Sequence, residues 1–208
     1  MNLFIPDARI GWRFSGYKTA IKKLGSEKFD LILSNGPPHS THLLSKKISK
    51  KLNVPMVSIF IDPWVDISYY KGHKRNFLTR WFDGHLEKTV LQYSDKTIFV
   101  TKELENYFIK KYPFLNGKTE LIYWGYNESD FTKLEKSPKS EYKTILHAGN
   151  MYDHQNPKNF WRNIKTKIES GEKLSLKFVG SLGPAVKNAL KEFGLEKHSC
   201  FLGFLASI

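Results

Sequence analysis

The sequence is poor in cysteine, because Cys200 is the only one among 208 residues. A single thiol excludes a disulfide framework and a zinc site built from several thiolates, and it is typical of a reducing compartment. Long hydrophobic runs are also lacking, since none approaches the roughly 18–20 residues that a membrane-spanning helix needs. HExxH, Walker and GxGxxG motifs are missing as well, so zinc proteases, P-loop NTPases and ordinary dinucleotide enzymes gain no support. We therefore expect an intracellular globular protein.

Acidic residues are scarce relative to basic ones, at 20 against 33, which gives a formal net charge of +13. The excess is uneven, because residues 1–53 hold ten Lys and Arg against three acids, and segment 69–81 mixes cations with aromatics and has no acid. Such a surface suits anionic lipid headgroups and nucleic acid equally well. A solvated face that aids solubility is the plainer alternative, and charge alone does not choose among the three.

Short apolar runs alternate with helical periodicity along the chain, which indicates strands connected by helices. The predicted strands cover 29–34, 56–61, 96–100, 119–123, 144–148, 174–179 and 200–202. The predicted helices cover 38–52, 75–92, 102–112, 158–170 and 184–193. The apolar stripe of helix 75–92 consists of Leu78, Phe82, Leu86 and Val90. Because parallel strands need a crossover between them, this alternation predicts an α/β protein with parallel sheets.

Segment 126–141 interrupts the alternation. It is polar, contains Ser137-Pro138 and has no sustained period, so it is predicted to be an interdomain linker. The linker separates a first domain at 1–125 from the start of a second domain at 142–208. The second part has three short strands and an apolar end, so we expect it to be an incomplete domain.

Ligands of open parallel sheets bind outside the carboxyl ends of the strands. Those ends lie here at 35–39, 62–64, 149–155 and 180–183, and three of them lead into helix N-termini, where free N–H groups favour phosphate. A nucleotide-like anion is the predicted ligand, and the alternative is that the glycines only make tight turns. Asp62 follows an apolar strand, so it either accepts a hydrogen bond from a substrate hydroxyl or caps the next helix.

Two histidines and the cysteine are predicted to carry no chemistry. His39 and His42 flank the start of a helix without a nearby Asp, Glu or Cys at metal-ligand spacing, so we expect them to face solvent. Cys200 lies in an apolar strand and is expected in the core.

With these residues in view, the sequence resembles GT-B glycosyltransferases of family 4, members of which build bacterial surface polysaccharides. The matching segments are, in order, FIPDARIGW at 4–12, SNGPPHS at 34–40, DPW at 62–64, SDKTIFVT at 94–101, WGYNESDF at 124–131, GNMY at 149–152 and FVG at 178–180. No segment is decisive alone, but their order and spacing extend over nearly the whole chain.

The sequence also departs from the family pattern. The opening strand and Gly-rich loop of family members would precede Met1, and the helix whose paired glutamates hold the donor nucleotide would follow Gly203. Ile61 stands where arginine commonly precedes the Asp-Pro-Trp motif, and Asn150 and Gln155 stand where the family often has arginine or lysine. The resemblance thus implies an N-terminal domain without its first strand, a truncated C-terminal domain, and a fragment that is inactive alone.

The resemblance implies a GT-B architecture, in which two Rossmann-like domains face each other across a crevice. It implies transfer of a sugar from a nucleotide-diphosphate sugar to a lipid-linked or growing glycan acceptor, with retention, no metal and no cofactor. The implied catalytic residue is Asp62. The implied donor-binding residues are Gly149, Asn150, Gln155, Lys158, Gly180 and Ser181. The implied acceptor-side residues are Gly36, Pro37, Pro38, His39 and Trp64.

The basic and aromatic face would hold the first domain against an anionic membrane, on the cytoplasmic side. The residues predicted to face the membrane are Lys46, Lys47, Lys50, Lys51, Lys74, Arg75, Arg80 and Trp81. Nucleic acid is not an expected partner, and the oligomeric state stays open. Two alternatives also stay open. One is a non-catalytic nucleotide- or carbohydrate-binding module that pairs with a separate chain. The other is a basic nucleic-acid binder, although no reading helix or RNP-like strand is recognised.

Overall fold

A computed structural model of the protein describes residues 4–24, 27–67, 75–132 and 140–205. The chain divides into two compact units, Met1–Glu128 (unit 1) and Ser129–Ile208 (unit 2). Each unit contains one parallel sheet and its connecting helices, which confirms the predicted α/β class.

Unit 1 contains a four-stranded parallel sheet in the order β1-β2-β3-β4. Its elements are α1 (Trp12–Leu24), β1 (Ile32–Gly36), α2 (Ser40–Leu52), β2 (Met56–Phe60), α3 (Phe77–Tyr93), β3 (Lys96–Phe99), α4 (Lys102–Lys111) and β4 (Thr119–Leu121). The strand order follows the chain order, so α2, α3 and α4 each connect strands that are neighbours in the sheet, while α1 precedes β1. Helix α2 packs against both α1 and α3.

The core of unit 1 is rich in aromatic side chains. Phe60 of β2, Phe99 of β3 and Phe108 of α4 are fully buried, and the ring centroids of Phe99 and Phe108 are 5.0 Å apart. Helix α4 begins at a side-chain cap, because the Thr101 hydroxyl accepts a hydrogen bond from the Leu104 N–H at 3.2 Å. These contacts fix the sheet on which the strand-end loops of unit 1 are built.

Unit 2 contains a three-stranded parallel sheet in the order β5-β6-β7. Its elements are β5 (Lys143–Ala148), α5 (Lys158–Glu169), β6 (Leu174–Val179), α6 (Pro184–Glu192) and β7 (Ser199–Gly203). Trp161 of α5, Phe178 of β6 and Val186 of α6 belong to one buried cluster. Strand β7 is largely exposed, and Cys200 with it, so the expectation that Cys200 lies in the core is wrong.

Helix α3 turns a different face inward from the one that its periodicity predicts. Val90 is fully buried and Leu86 packs partly against the core, but Leu78 and Phe82 are exposed. The inner face of α3 instead includes Asp83 and Glu87, both fully buried. This exchange is favourable because both carboxylates form ion pairs there, Asp83 with Arg75 and Glu87 with Lys111.

Candidate functional site

The carboxyl ends of β1 and β2 lie side by side in unit 1. Gly36 pairs with Phe60 in the parallel register, and the Ile61 N–H donates to the Gly36 carbonyl over 3.4 Å. The turn after β1 and the turn after β2 therefore meet at the end of the sheet where open parallel sheets bind ligands. Asp62 and the predicted acceptor-side residues are brought together there.

Asp62 is half-buried at this end of the sheet. In the described part of the chain, its carboxylate takes part in no hydrogen bond or ion pair. It does not cap the next helix, because α3 has Asn76 as its N-cap, whose side chain accepts from the Thr79 N–H at 2.8 Å. The capping alternative is thereby excluded, and the carboxylate is available to accept a hydrogen bond or a proton from a ligand hydroxyl.

His39 and His42 are buried in an aromatic stack. The His39 ring lies parallel to Trp64 at a centroid distance of 4.8 Å, and the His42 ring stacks on Phe60 at 4.7 Å. The expectation that both histidines face solvent is wrong, because the rings of Phe60 and Trp64, which come from β2 and the turn after it, cover them. For the same reason the side chains of His39 and Trp64 have almost no exposed surface for an acceptor, which corrects their predicted role.

Burial keeps both imidazoles neutral. It lowers the pKa of His39 to about 4, against the opposing charge of Asp7, and it lowers the pKa of His42 to about 3, to which His39 contributes. His42 Nδ1 lies 2.8 Å from the Ser34 hydroxyl, while His42 Nε2 and His39 Nδ1 have no hydrogen-bond partner within the described ranges. The two histidines therefore act as packing residues that hold the turn after β1 in place.

Gly36 is buried directly against His42. A Cβ at this position would lie 2.5 Å from His42 Nε2, so the glycine is required by packing and not by contact with an acceptor. Pro37 is exposed and Pro38 is half-buried. Of the predicted acceptor-side residues, these two prolines remain accessible beside Asp62.

Carboxylates cap two of the helix N-termini at which the sequence predicts free N–H groups. Asp7 accepts from the Ser40 N–H at 2.8 Å and from the Ser40 hydroxyl at 3.0 Å, at the start of α2. Asp153 accepts from the Ala185 N–H at 2.8 Å, at the start of α6. The prediction that these two termini offer free N–H groups to phosphate is therefore wrong at both donors. The caps were missed because both carboxylates are more than 30 residues from their partners.

The segment that follows Asp62 is anchored by a network of charged side chains around the buried Glu87. The Val65 N–H donates to Glu87 at 3.2 Å, and Lys111 bridges Glu87 and Asp66 at 2.7 Å from each. Although burial opposes it, hydrogen bonds from Lys111 and Tyr107 hold the pKa of Asp66 below its ordinary value. The sequence signal for this network is a pair of acids four residues apart on α3, Asp83 and Glu87.

The residues predicted to face a membrane fall into two groups. Arg75 pairs with Asp83 and its side chain is only 6% exposed, so its predicted role is wrong. Burial raises the pKa of Asp83 to about 6, against the lowering effect of Arg75. Lys46 is half-buried and donates to the Thr89 carbonyl at 2.8 Å. The exposed members are Lys47, Lys50, Lys51, Arg80 and Trp81, and Lys74 lies outside the described residues.

In unit 2 the loops that follow β5 and β6 are bonded to each other. Asn150 Oδ1 accepts from the Ser181 N–H at 3.0 Å and from the Ser181 hydroxyl at 2.8 Å. The Gly149 N–H donates to the Val179 carbonyl at 2.8 Å. Gly180 has a φ of 109°, and a Cβ there would collide with the Gly149 carbonyl, so this close approach requires glycine. The predicted donor-binding residues Gly149, Asn150, Gly180 and Ser181 are thus brought together.

Gln155 and Lys158 are not part of this contact. Gln155 Oε1 accepts from the Tyr152 N–H at 2.8 Å, which closes a 3₁₀ turn at Asp153–Gln155. Lys158 is exposed at the first position of α5. Among the described residues, no hydrogen bond joins either side chain to Asn150 or Ser181.

A groove of about 500 Å³ opens beside Gly180 and Ser181. Its other lining residues include Lys187 of α6 and Gly203 at the end of β7. The volume lies within the range of roughly 300–1,000 Å³ that small-molecule sites occupy. It therefore has room for a ligand of nucleotide size at the carboxyl end of the sheet.

Across 4–24, 27–67, 75–132 and 140–205, no three side chains of His, Cys, Asp or Glu are grouped as metal ligands would be. No helix in these same ranges has the length and apolar character that crossing a bilayer requires. The absence of a metal and of a cofactor in the proposed reaction stays a prediction.

Two α/β units in one chain, each with its own parallel sheet, are the fold class of GT-B glycosyltransferases. HepE from Anabaena, in complex with UDP, superposes with a TM-score of 0.66 at 15% identity, over 94% of this chain and 52% of HepE. The lipopolysaccharide outer core galactosyltransferase WaaB in its apo form gives a TM-score of 0.56 at 11% identity, over 99% of this chain and 52% of WaaB. A UDP-N-acetylglucosamine 2-epimerase gives 0.50 at 13% identity, over 98% of this chain and 53% of that enzyme. Identities this low establish the fold alone.

A sequence profile identifies the family to which the chain belongs. The profile of Glycosyltransferase Family 4 matches residues 2–130, and the chain belongs to that family, as its motifs suggested. No curated protein matches the sequence. The chain spans about half the length of the solved structures that it resembles.

Proposed function

We propose that the protein transfers a sugar from a nucleotide-diphosphate sugar to a lipid-linked or growing glycan acceptor. The observation that carries this proposal is the position of Asp62: a carboxylate without a partner among the described residues, at the joined ends of β1 and β2 and within the residues that the family profile covers. In the proposed reaction the bond from the anomeric carbon to the donor phosphate breaks. A bond to an acceptor oxygen forms, and Asp62 accepts the hydrogen bond or proton of that hydroxyl.

Unit 2 is proposed to bind the donor through Gly149, Asn150, Gly180 and Ser181. The glycine at position 180 lets the two loops approach each other closely, and the adjoining groove has room for a nucleotide. HepE in complex with UDP and glucose, at a TM-score of 0.60, supports a nucleotide sugar as the ligand. Lys158 and Lys187 are exposed cations on α5 and α6 that would offset phosphate charge without a metal. Retention at the anomeric carbon belongs to the same proposal.

The acceptor is proposed to be held at the inner face of the cell membrane, with the protein bound there peripherally. The exposed lysines 47, 50 and 51 of α2 support this location, because an anionic leaflet attracts clustered cations. Pro37 and Pro38 lie beside Asp62 and are the accessible residues with which an acceptor would make contact.

Calorimetric titration of the chain with UDP, GDP and their sugars tests the donor part. We expect one nucleotide to bind. Asn150→Ala should weaken that binding by about tenfold, because it removes the two hydrogen bonds from Ser181 that join the loops. Asn188→Ala, on the exposed side of α6, is the matched control and should bind as the wild type does. The donor proposal is wrong if no nucleotide binds, or if Asn150→Ala binds as tightly as the control.

Transfer of a radiolabelled sugar from the bound nucleotide to lipid-extractable product tests Asp62. Asp62→Asn should lower the rate by about 10²-fold or more with nucleotide affinity unchanged, since an amide cannot accept the acceptor proton. Asp30→Asn, an exposed carboxylate elsewhere in unit 1, should transfer at the wild-type rate. A measurable wild-type rate that Asp62→Asn leaves unchanged would refute the role of this carboxylate.

A further inference from the structure

The first half of α3 presents large apolar side chains to solvent. Phe77 is 78% exposed, Leu78 63%, Trp81 55% and Phe82 49%. The Trp81 and Phe82 rings contact each other edge to face at 4.9 Å. Large apolar side chains that are contiguous on a helix surface mark an interaction site more often than single exposed ones do.

The charges of α3 are sorted between its two faces. Its carboxylates, Asp83 and Glu87, have no exposed surface and form ion pairs inside unit 1. Its cations, Arg80 and Lys88, point outward, with Arg80 also 3.6 Å from Asp66. The outer surface of α3 therefore combines an apolar half with positive charge and carries no carboxylate of its own.

Helices α1 and α2 extend this surface. Helix α2 packs against α3 and α1 packs against α2, and the Lys47 ammonium lies 4.1 Å from the centroid of the Tyr17 ring, which joins the two. Neither helix contains an acid. Helix α1 carries Arg13, Lys18, Lys22 and Lys23, and α2 carries Lys46, Lys47, Lys50 and Lys51. We call these three helices the basic layer.

We propose that the basic layer is the membrane-docking surface, with the first half of α3 inserted among the headgroups of an anionic bilayer. The inference rests on the proposed peripheral membrane association. It names the surface that contacts the bilayer and the part of that surface that enters the headgroup layer. Aromatic side chains such as Trp81 are favoured at the level of the headgroups, and Phe77, Leu78 and Phe82 would reach the acyl boundary. The surrounding lysines would remain at the phosphates, held on stems long enough to reach them.

Charge complementarity decides the occupant. A second copy in a two-fold contact would place the same layer against itself, so that its cations would meet cations. An anionic leaflet instead offers negative charge and an apolar interior together, which is the combination that this surface matches. A nucleic acid offers the charge but no apolar layer in which Leu78 would be buried.

Co-sedimentation of the 208-residue chain with vesicles tests the proposal. Vesicles of phosphatidylglycerol and phosphatidylcholine in equal parts should bind it, and pure phosphatidylcholine should bind it at least about tenfold more weakly. The variant L78S/W81S/F82S should lose about tenfold or more in affinity, and it should stay folded because all three side chains are exposed. Each of Lys50→Gln and Lys51→Gln should cost about fivefold. Phe160→Ser and Lys191→Gln, exposed in unit 2, are the matched controls and should bind as the wild type does.

The outcomes separate this inference from the proposed function. If L78S/W81S/F82S binds anionic vesicles as well as the wild type, the α3 assignment is wrong although membrane association stands. If the wild type binds no vesicle while it still binds a nucleotide, both membrane proposals fail and the donor proposal survives. Sedimentation velocity and titration with single-stranded RNA test the other occupants. A dimer, or an RNA complex, that the α3 variant abolishes without any vesicle binding would overturn the assignment.

Discussion

Mild acid should destabilise unit 1 through His39 and His42. Both rings are buried and neutral, with pKa values of about 4 and about 3, against an ordinary value of 6.5. Below that ordinary value the unfolded chain binds protons that the folded chain does not bind. The stabilising effect of the neutral histidines is therefore complete above about pH 6.5, and it is lost progressively as the pH falls toward the folded values.

The size of this loss follows from the two shifts. Between about pH 7.5 and about pH 5, each histidine should lower the free energy of unfolding by about 2 kcal/mol, and the pair by about 4 kcal/mol. Asp83 acts in the opposite direction, because its pKa is raised to about 6 and its protonation stabilises the folded state as the pH falls. That effect, about 1 kcal/mol at pH 5, is common to wild type and histidine variants, so a comparison between them cancels it.

Urea unfolding followed by tryptophan fluorescence at the two pH values measures the effect. The double variant keeps the local packing as far as the residues allow: His39→Phe can still stack on Trp64, and His42→Gln keeps a polar group facing Ser34. We expect the wild type to lose about 4 kcal/mol more than this variant on acidification. The control His154→Gln, at an exposed position in unit 2, should behave as the wild type does. Equal pH dependence in wild type and double variant would refute the reasoning.

Three other predictions concern stability at neutral pH. Gly36→Ala should lower the free energy of unfolding by about 1–3 kcal/mol, because its Cβ would lie 2.5 Å from His42 Nε2. Gly84→Ala, with nothing within 4 Å of the added carbon inside α3, should raise it by up to about 1 kcal/mol, and thermal melts of the two variants should move in opposite directions. Lys111→Met should cost about 3–5 kcal/mol, because it leaves the buried Glu87 without a cation. In urea unfolding, the double variant E87Q/K111M should recover part of this loss. A double variant no more stable than Lys111→Met would count against the Glu87–Lys111 ion pair.

The parallel sheets could be predicted from the sequence because buried parallel strands are continuous apolar runs. The run at 174–179 coincides with β6, and the run at 56–61 differs from β2 by one residue. Helix α1 was missed because it buries none of its residues and so shows no apolar stripe.

The side chains of the site were harder to predict, because their environments come from distant parts of the chain. The ring of His42 is buried by Phe60, which lies on the next strand, and no local spacing reveals that contact. The apolar periodicity of α3 predicted that Leu78 and Phe82 face the core. The face with the two carboxylates is buried instead, because they form ion pairs there with Arg75 and Lys111. Periodicity identifies the faces of a helix, and the partners available in the fold decide which one is buried.

The central claim is that the strand-end loops of unit 2 hold a nucleoside diphosphate. A titration of the ¹⁵N-labelled chain with UDP and with GDP, followed amide by amide in NMR spectra, tests it most directly. We expect the largest shifts at the amides of Gly149, Asn150, Gly180 and Ser181, with saturation at a single affinity. Spectra that do not change with either nucleotide, or changes confined to amides far from these loops, would contradict the account.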